Sequence, residues 1–299
     1  MQAAGSRYIL YNSRSAVLKI WIMADIHYAN KGCHLALLKK HIKEIQNDPC
    51  AYWIGLGDYA DYISYDDKRF DPSEILQDIA VADLGNLGQI LTSRVDDLFA
   101  PIRDKCLGLA YGNHEWRYMR DKDQQGLHQW LCTQMGVPNL GYSFLMNLTF
   151  VRVAQKNLRQ KVLDTVPDKT GSTRWSLRLY GHHGAGGAST FTGKANRLAK
   201  FMQAFDADIY MCAHVHGEQS LAIPRIGADE KCQTLKERAA LGVITGSYLK
   251  TYQLGVGAGY GERAGYGPSF LGAAVLHVEP DKQKAWTALE VGFGNRECS

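Results

Sequence analysis

The chain has 299 residues and a formal net charge of +4, from 34 Lys and Arg against 30 Asp and Glu. Hydrophobic residues make up 45% and charged residues 21%, so the composition is globular and excludes collagen-like and disordered chains. The mild positive charge permits anionic substrates, but no run of clustered Lys and Arg marks a nucleic-acid groove. A nucleic-acid partner is therefore compatible with the sequence but unsupported by it.

The seven cysteines indicate reduced thiols. They are odd in number, scattered, and never spaced two apart as a zinc ribbon requires. Cys106 and Cys212 lie in apolar, strand-like runs, which favours a cytoplasmic protein. Residues 1–15 are polar, and the apolar run that follows is interrupted by Lys19 and Asp25, so we expect no secretion signal and no membrane partner.

A first strand is predicted over residues 16–23, which are bulky, β-branched and apolar with little alternation. Asp25 and His27 follow it directly. In extended backbone, two residues at this spacing point to the same side, so both side chains can reach one ion. The alternative is that Asp25 caps the next helix and that His27 lies on the surface.

A second strand is predicted over residues 51–56, after a helix over about 33–46. It leads into Gly57 and Asp58. Asp25 and Asp58 are 33 residues apart, about one βαβ unit, so two parallel strands would bring both carboxylates to the same sheet edge. A carboxylate has two oxygens, so Asp58 can bridge two ions.

Residues 62–105 are predicted to form a mainly helical excursion that contributes packing. A third apolar strand, 106–110, then runs into Gly112-Asn113-His114-Glu115, where we expect a loop. The Asn113 amide oxygen can bind a cation, and the His114 imidazole can donate a proton. Taken alone, the tetrad is more typical of a turn in which Gly112 supplies an unusual backbone angle.

Two further predicted strands end in histidines. Residues 175–179 run into His182-His183-Gly184, where the glycines allow close approach to whatever the histidines hold. Residues 208–212 end in Ala213-His214-Val215-His216, where His214 and His216 alternate with Val215 and project together. Two such histidine pairs, together with Asp58 and Asn113, predict a metal site.

Candidate substrate contacts lie outside the strand ends. Arg117 is expected on the loop after the tetrad, where it meets either a phosphate or solvent. The Gly- and Tyr-rich segment at about 255–268 is predicted to be a surface loop, which either covers a substrate through Tyr260 and Arg263 or merely connects strands. We find no internal repeat or interdomain linker, so a single domain over residues 1–299 is predicted.

The ordered blocks Asp-x-His, Gly-Asp-x-x-Asp, Gly-Asn-His-Glu, a strand-end His and His-x-His resemble the calcineurin-like metallophosphoesterase superfamily. They span residues 25–216, and each follows an apolar strand in the expected order. The resemblance implies an α/β (α+β) fold, a four-layer αββα sandwich of two mixed β-sheets flanked by helices. It also implies a dinuclear metal site at the C-terminal ends of the strands.

The same resemblance implies roles for individual residues. One ion would be held by Asp25, His27, Asp58 and His216. The second would be held by Asp58, Asn113, His214 and His183, with His182 as the alternative to His183. His114 would bind no metal and would face the leaving group as the catalytic acid. Asp61 and Glu115 would be structural partners that orient imidazoles, more than metal ligands.

The activity implied is metal-dependent hydrolysis of a phosphoester substrate by a hydroxide bound at the dinuclear centre. Phosphodiesters are slightly favoured over phosphomonoesters of a metabolite or a phosphoprotein. A non-catalytic protein-binding module on the same fold is the alternative from another class. Oxygen and imidazole ligands without cysteine suit two divalent ions, with manganese expected and iron or zinc also fitting.

Overall fold

The computed structural model describes residues 1–72, 79–154, 158, 160–166, 174–228, 231–252, 260–263 and 265–287. These residues form two mixed β-sheets and six α-helices. The helices are α1 (Leu35–Asn47), α2 (Leu87–Phe99), α3 (Asn113–Asp121), α4 (Leu127–Met135), α5 (Phe191–Ala204) and α6 (Tyr260–Arg263). Within this described part, no helix is long and apolar enough to cross a membrane.

The first sheet has six strands and carries the first three polar strand ends. Their spatial order is β13 (Lys284–Thr287), β12 (Ala274–Glu279), β2 (Leu18–Met23), β3 (Ala51–Gly55), β4 (Cys106–Ala110) and β5 (Asn139–Gly141). Strands β2 to β5 are parallel, while β12 and β13 join antiparallel. Every residue of β3 and β4 is buried, as expected for parallel strands covered on both faces.

The second sheet has seven strands and carries the histidine-bearing strand ends. Their spatial order is β10 (Gln219–Ala228), β11 (Leu235–Ile244), β9 (Ile209–Cys212), β8 (Arg174–His182), β6 (Ser143–Arg152), β1 (Gln2–Tyr11) and β7 (Val162–Leu163). The neighbours β8, β9 and β11 are parallel, as are β1 and β6, and the other pairs are antiparallel.

The two sheets pack face to face. Their shared core contains Ile20, Ile54 and Leu107 from the six-stranded sheet and Phe144 and Leu179 from the seven-stranded sheet. Helices α1, α2 and α4 cover the outer face of the six-stranded sheet, and α5 covers that of the seven-stranded sheet. Burial of both faces of each sheet explains the near-continuous apolar strands, and the predicted four-layer sandwich is confirmed.

Strands β1 and β10 are among those that were not predicted. The N-terminal segment reads as polar, yet it forms β1, in which alternate residues Arg7, Ile9 and Tyr11 are buried. The inward guanidinium of Arg7, paired with Asp164, conceals the apolar alternation. Strand β10 is exposed over most of its length and contains Pro224, which it accommodates because it is the edge strand of its sheet.

The loop predicted at the tetrad is wrong, because helix α3 begins at Asn113. Glu115 occupies the third helical position and accepts a hydrogen bond from the Gly112 N–H, which satisfies an otherwise unpaired donor at the helix start. Arg117 therefore lies on a helix and not on a loop. The Gly112-Asn113-His114-Glu115 sequence by itself is compatible with either a loop or the start of a helix.

The excursion over residues 62–105 is helical in its second part. Residues 62–71 form no α-helix, residues 73–78 lie outside the described part, and a 3₁₀ turn spans Val81–Asn86. Helix α2 and a second 3₁₀ turn, Ala100–Lys105, complete it. In the segment 255–268, residues 255–259 and 264 lie outside the described part, and α6 is helical where a loop was predicted.

Candidate metal centre

The polar strand ends of both sheets meet at one edge of the sandwich. Asp25, Asp58 and Asn113 come within three residues of the ends of β2, β3 and β4. His183 and His214 hold the corresponding positions after β8 and β9. Hydrogen bonds join the two sheets here: the His214 N–H donates to Asp25 Oδ2 at 2.8 Å, and His183 Nδ1 donates to the Leu56 carbonyl at 2.7 Å.

Three groups of side chains place potential ligand atoms within 4.8 Å of one another. These groups are Asp25, His27 and His216; His27, Asp58 and His114; and Asp58, His183 and His214. His216 Nε2 lies 3.5 Å from Asp25 Oδ1, and His183 Nε2 lies 3.2 Å from Asp58 Oδ2. The amide oxygen of Asn113 lies 3.1 Å from His183 Nε2. The seven side chains expected to bind metal therefore converge, with Asp58 central.

Two buried polar atoms test whether this centre suits a cation. Asp25 Oδ1 and His27 Nε2 are buried and have no hydrogen-bond partner among the described residues. A buried carboxylate oxygen without a partner is costly, and a bound cation would satisfy it. Carboxylate, amide and imidazole donors without a thiolate suit manganese, iron or zinc. The residues present therefore fit divalent metal ions, and the three groups indicate a dinuclear site.

The backbone at the centre is strained. Five residues have positive φ angles: Asp25 (50°), His27 (50°), Asp58 (53°), His214 (68°) and His216 (45°). Each such residue costs of the order of 1–3 kcal/mol and persists only where its surroundings hold it. At Asp25, the Tyr248 N–H and the Ser247 hydroxyl both donate to its carbonyl, at 2.9 Å each. Strain concentrated at one cluster of polar residues is typical of a functional site.

The extended backbone assumed for the two Xaa-x-His pairs is wrong. The left-handed conformation at both members of each pair replaces simple strand alternation. As a result, His214 and His216 separate into different groups, one with Asp58 and one with Asp25. Asp25 and His27 do share a group, although for a different geometric reason from the one predicted.

Asp61 orients two imidazoles. Its Oδ1 accepts a hydrogen bond from His27 Nδ1 at 3.0 Å, and its backbone carbonyl accepts one from His114 Nδ1. Both rings are thereby left with Nε2 available to the centre. Burial by itself would lower the pKa of His114, but the carboxylates of Asp58 and Asp61 outweigh burial and raise it.

Glu115 holds backbone N–H groups and has no imidazole among its described hydrogen-bond partners, which is a structural role of the kind expected. Its buried carboxylate accepts hydrogen bonds from the backbone N–H groups of Asp58 (2.9 Å), Tyr59 (2.7 Å) and Gly112 (2.8 Å). Burial and the charge of Asp58 raise the pKa of Glu115 to about 7. A Cβ atom on Gly112 would overlap Asp58 Oδ1, so glycine is required for this close approach.

Two charge effects act on Asp58 itself. Burial would raise the pKa of its carboxyl group, but the surrounding His183, His114 and His27 hold that pKa well below its ordinary value. Asp58 Oδ1 also accepts a hydrogen bond from the His114 N–H at 2.9 Å. Asp58 is therefore an anion in the folded protein, as a bridging ligand must be.

The two neighbouring histidines of the glycine-rich turn have different surroundings. His183 is fully buried beside Asp58 and Asn113. His182 points elsewhere: its ring stacks on Phe201 at 4.6 Å, and its Nδ1 accepts a hydrogen bond from the Gly184 N–H. Of the two, the structure brings His183 into the centre.

A groove of about 1860 Å³ opens over the centre. Arg117 and Arg263 line it, and Arg263 Nη1 lies 3.4 Å from Asp71 Oδ2. The side chain of Tyr260 lies outside the described part. Sequence patterns did not single out Trp116, Phe191 or Phe270, which also line the groove. In the sequence, only their proximity to the motifs could have indicated that these rings line the groove, because exposure of an aromatic ring depends on the tertiary structure.

Comparisons with known proteins agree with this arrangement. Residues 18–218 match the family model described as calcineurin-like phosphoesterase, and this range contains every residue of the three groups. A comparison with curated proteins gives no match.

Two solved structures align with most of the chain at low identity. One is a conserved uncharacterized protein from Streptococcus pneumoniae, described as a predicted phosphoesterase, with 11% identity, coverage of 91% of this chain and 99% of that chain, and a TM-score of 0.33. The other is a single mutant of Vps29 from Entamoeba histolytica, with 10% identity, coverage of 91% and 98%, and a TM-score of 0.35.

Proposed function

The chain belongs to the calcineurin-like phosphoesterase family, and on this basis we propose that it is an enzyme that hydrolyses phosphodiesters at a dinuclear metal centre. The observation that carries the proposal is the convergence of seven ligand-type side chains, with Asp58 at their centre. It is supported by the two buried atoms, Asp25 Oδ1 and His27 Nε2, that lack hydrogen-bond partners in the described part of the chain.

We assign the ligands to two sites that share Asp58. Asp25, His27 and His216 complete one site, and Asn113, His183 and His214 complete the other. The groups formed around Asp25 and around Asp58 support this division. Two divalent ions bound here would supply an activated water and polarise the phosphoryl oxygen. We expect manganese, with iron or zinc as alternatives, because the donors are hard oxygens and borderline nitrogens.

His114 is assigned to the leaving group. Its Nδ1 is occupied by the Asp61 carbonyl, so Nε2 is the nitrogen that can hold a proton for the departing oxygen. The side chain lines the groove, where a substrate would lie. Protonation of a leaving alkoxide by a positioned imidazole contributes typically about 10²–10⁴-fold in rate. A protein-binding module would have no need of an imidazole held in this way.

The size of the groove favours a diester over a monoester. A diester carries substituents on both sides of the phosphorus, and its site must be open in two directions. The groove volume of about 1860 Å³ exceeds the roughly 300–1000 Å³ usual for small-ligand pockets. Phosphomonoester hydrolysis is the second candidate, because the same centre can hold a terminal phosphate.

The test compares two chromogenic substrates, bis-p-nitrophenyl phosphate and p-nitrophenyl phosphate, with manganese, iron or zinc supplied. We expect the diester to be preferred, activity to be lost on chelation, and Asp58→Asn to lose both activity and bound metal. Asp97→Asn, on the exposed face of α2, is the matched control and should behave as wild type. Full activity of Asp58→Asn, or no turnover with any metal, would contradict the proposal.

A further inference from the structure

The groove over the metal centre is unusually rich in positive charge. Four carboxylates of the described residues line it. Asp58 and Asp61 belong to the metal centre, and Asp71 and Glu218 lie outside it. Seven cationic side chains line it: Lys31, Lys68, Arg69, Arg117, Lys194, Lys250 and Arg263. The whole chain has 34 basic residues against 30 acidic ones, so positive charge is concentrated here. Even with Arg69 and Arg263 paired to Asp67 and Asp71, the lining suits a polyanion.

Exposed aromatic rings are concentrated along the same groove. The described part of the chain has seven exposed Phe, Trp and Tyr side chains, and four of them line this groove. Their exposed fractions are 44% for Trp116, 72% for Phe191, 40% for Tyr266 and 55% for Phe270. Large aromatic rings are normally buried, so a set of exposed rings in one concave surface marks a binding site.

Cations and accessible rings along one groove match the chemistry of one class of polymer. Cationic side chains follow a phosphate backbone, and aromatic rings stack on bases whose faces are free. Bases in a duplex are stacked on one another and present no free face to such rings. The groove volume of about 1860 Å³ is also larger than a mononucleotide requires.

We propose that this groove binds single-stranded nucleic acid and presents its phosphodiester backbone to the metal centre. The inference rests on the proposed function for the reaction, but the binding stands on the groove itself. In the reaction, the oxygen of water bonds to phosphorus as one ester P–O bond breaks. The leaving alkoxide takes a proton to become a hydroxyl terminus, and the other terminus becomes a phosphate monoester.

Binding is measured without turnover. The full-length, manganese-loaded protein is titrated into a fluorescein-labelled phosphorothioate strand of about 20 nucleotides, longer than typical single-strand sites of about 4–16 nucleotides. DNA and RNA strands form separate arms. We expect anisotropy to show binding of a single strand at least about tenfold tighter than of the matching duplex or of an abasic strand of equal charge, because stacking contributes about 1–3 kcal/mol per base.

Variants separate stacking from charge. Trp116→Ala and Phe191→Ala should each weaken binding about 5- to 100-fold. Trp130→Ala is the matched control and should bind as wild type, because Trp130 is also an exposed aromatic on a helix (37%) but does not line the groove. The double variant Lys68→Gln, Arg117→Gln should reduce the salt slope of log K by about 1.4, at about 0.7 per phosphate contact.

Several results would overturn the inference. Equal affinity for the abasic and base-bearing strands would reduce the groove to a non-specific polyanion site. Competition by a mononucleotide as effective as that of the strand would indicate a small-molecule site, and tighter binding of the duplex would exclude single-strand recognition. If the chromogenic diester is hydrolysed but no strand binds, this inference fails alone. If strands bind but no ester is hydrolysed, the proposed function fails alone.

Discussion

Glu115 shows how one side chain can determine the geometry of the metal centre without contacting a metal. Its two carboxylate oxygens accept three backbone hydrogen bonds, from Asp58, Tyr59 and Gly112. The loop after β3 and the start of α3 are therefore held by one buried carboxyl group. Because Asp58 has a left-handed backbone conformation, the loop needs such support to keep its carboxylate in place.

We predict that Glu115→Gln lowers the free energy of unfolding by about 2–3 kcal/mol and manganese affinity by about 10–100-fold. The amide group of glutamine would turn N–H donors toward backbone N–H donors, leaving at least one buried donor unpaired. Chemical denaturation and isothermal titration calorimetry measure the two effects. Glu44→Gln, at an exposed position on α1, should change neither. Wild-type values for Glu115→Gln would show that the three hydrogen bonds do not support the centre.

The role of His114 is tested by its removal. His114→Ala should lower kcat for the diester by about 10²–10⁴-fold while the protein still binds two manganese ions, because we assign this imidazole to the leaving group and not to a metal. Steady-state kinetics and metal analysis of the same preparation give both values. His34→Ala, which removes a helix-capping imidazole outside the groove lining, should keep kcat. Loss of one ion from His114→Ala would instead make His114 a ligand.

Among the elements, the C-terminal end of α1 depends on a lysine distant in sequence. Lys105 is buried, and its Nζ donates to the carbonyls of Ile45 (2.6 Å), Gln46 (3.1 Å) and Asp48 (2.7 Å). A cation at this end of the helix donates hydrogen bonds to otherwise unpaired carbonyls and is attracted by the negative end of the helix dipole. The contact joins α1 to the 3₁₀ turn that precedes β4, and so fixes the two elements on one face of the six-stranded sheet.

We predict that Lys105→Met lowers the free energy of unfolding by about 2–4 kcal/mol, because three carbonyls at the end of α1 lose a charged donor. Lys39→Met, on the exposed face of the same helix, provides the control and should change it by less than about 0.5 kcal/mol. Equilibrium denaturation in urea compares the two. Equal stability of the two variants would mean that water replaces Lys105 without cost.

At the scale of the whole molecule, buried neutral histidines make stability depend on pH. His128 lies on the buried face of α4, where its Nε2 donates to the Leu109 carbonyl at 3.1 Å. Burial lowers its pKa to about 4, although that hydrogen bond opposes the shift. The titratable side chains around it are Cys132, Tyr59 and Tyr111. The unfolded chain therefore binds a proton below pH of about 6.5 that the folded protein does not bind until about pH 4.

Because the unfolded state binds more protons in this window, stability falls as pH decreases from about 6.5 to about 4. We predict that the His128 contribution reaches about 2 kcal/mol at pH 5. His128→Gln should be less stable at pH 7 yet lose about 2 kcal/mol less than wild type between pH 7 and pH 5. Denaturation of both proteins at the two pH values measures this. Parallel losses in the two proteins would show that His128 does not titrate differently on folding.

The order of polar residues after apolar strands was sufficient to predict the family, the sandwich and the ligand-type residues, because each block is local and each strand end is marked by composition. The family match and the two packed sheets confirm the first two. Local sequence patterns failed to predict an element where a residue's bonding partner is distant along the chain. The inward Arg7 conceals β1, and Glu115 begins a helix at Asn113 by bonding to Gly112 and to the loop after β3.

The tertiary structure gave the physical basis of two features of the site that the resemblance implied, and alone decided a third. It brought His183 rather than His182 into the centre, because Asp58 and Asn113 follow strands that are distant from β8 in sequence. It placed His216 with Asp25 and His214 with Asp58 because the backbone at these residues is left-handed. Asp and His do not predict that conformation from sequence. It also gathered seven cations and four exposed rings into one groove from scattered positions. Each depends on which strand ends become neighbours, and that is fixed by packing of the two sheets rather than by spacing along the chain.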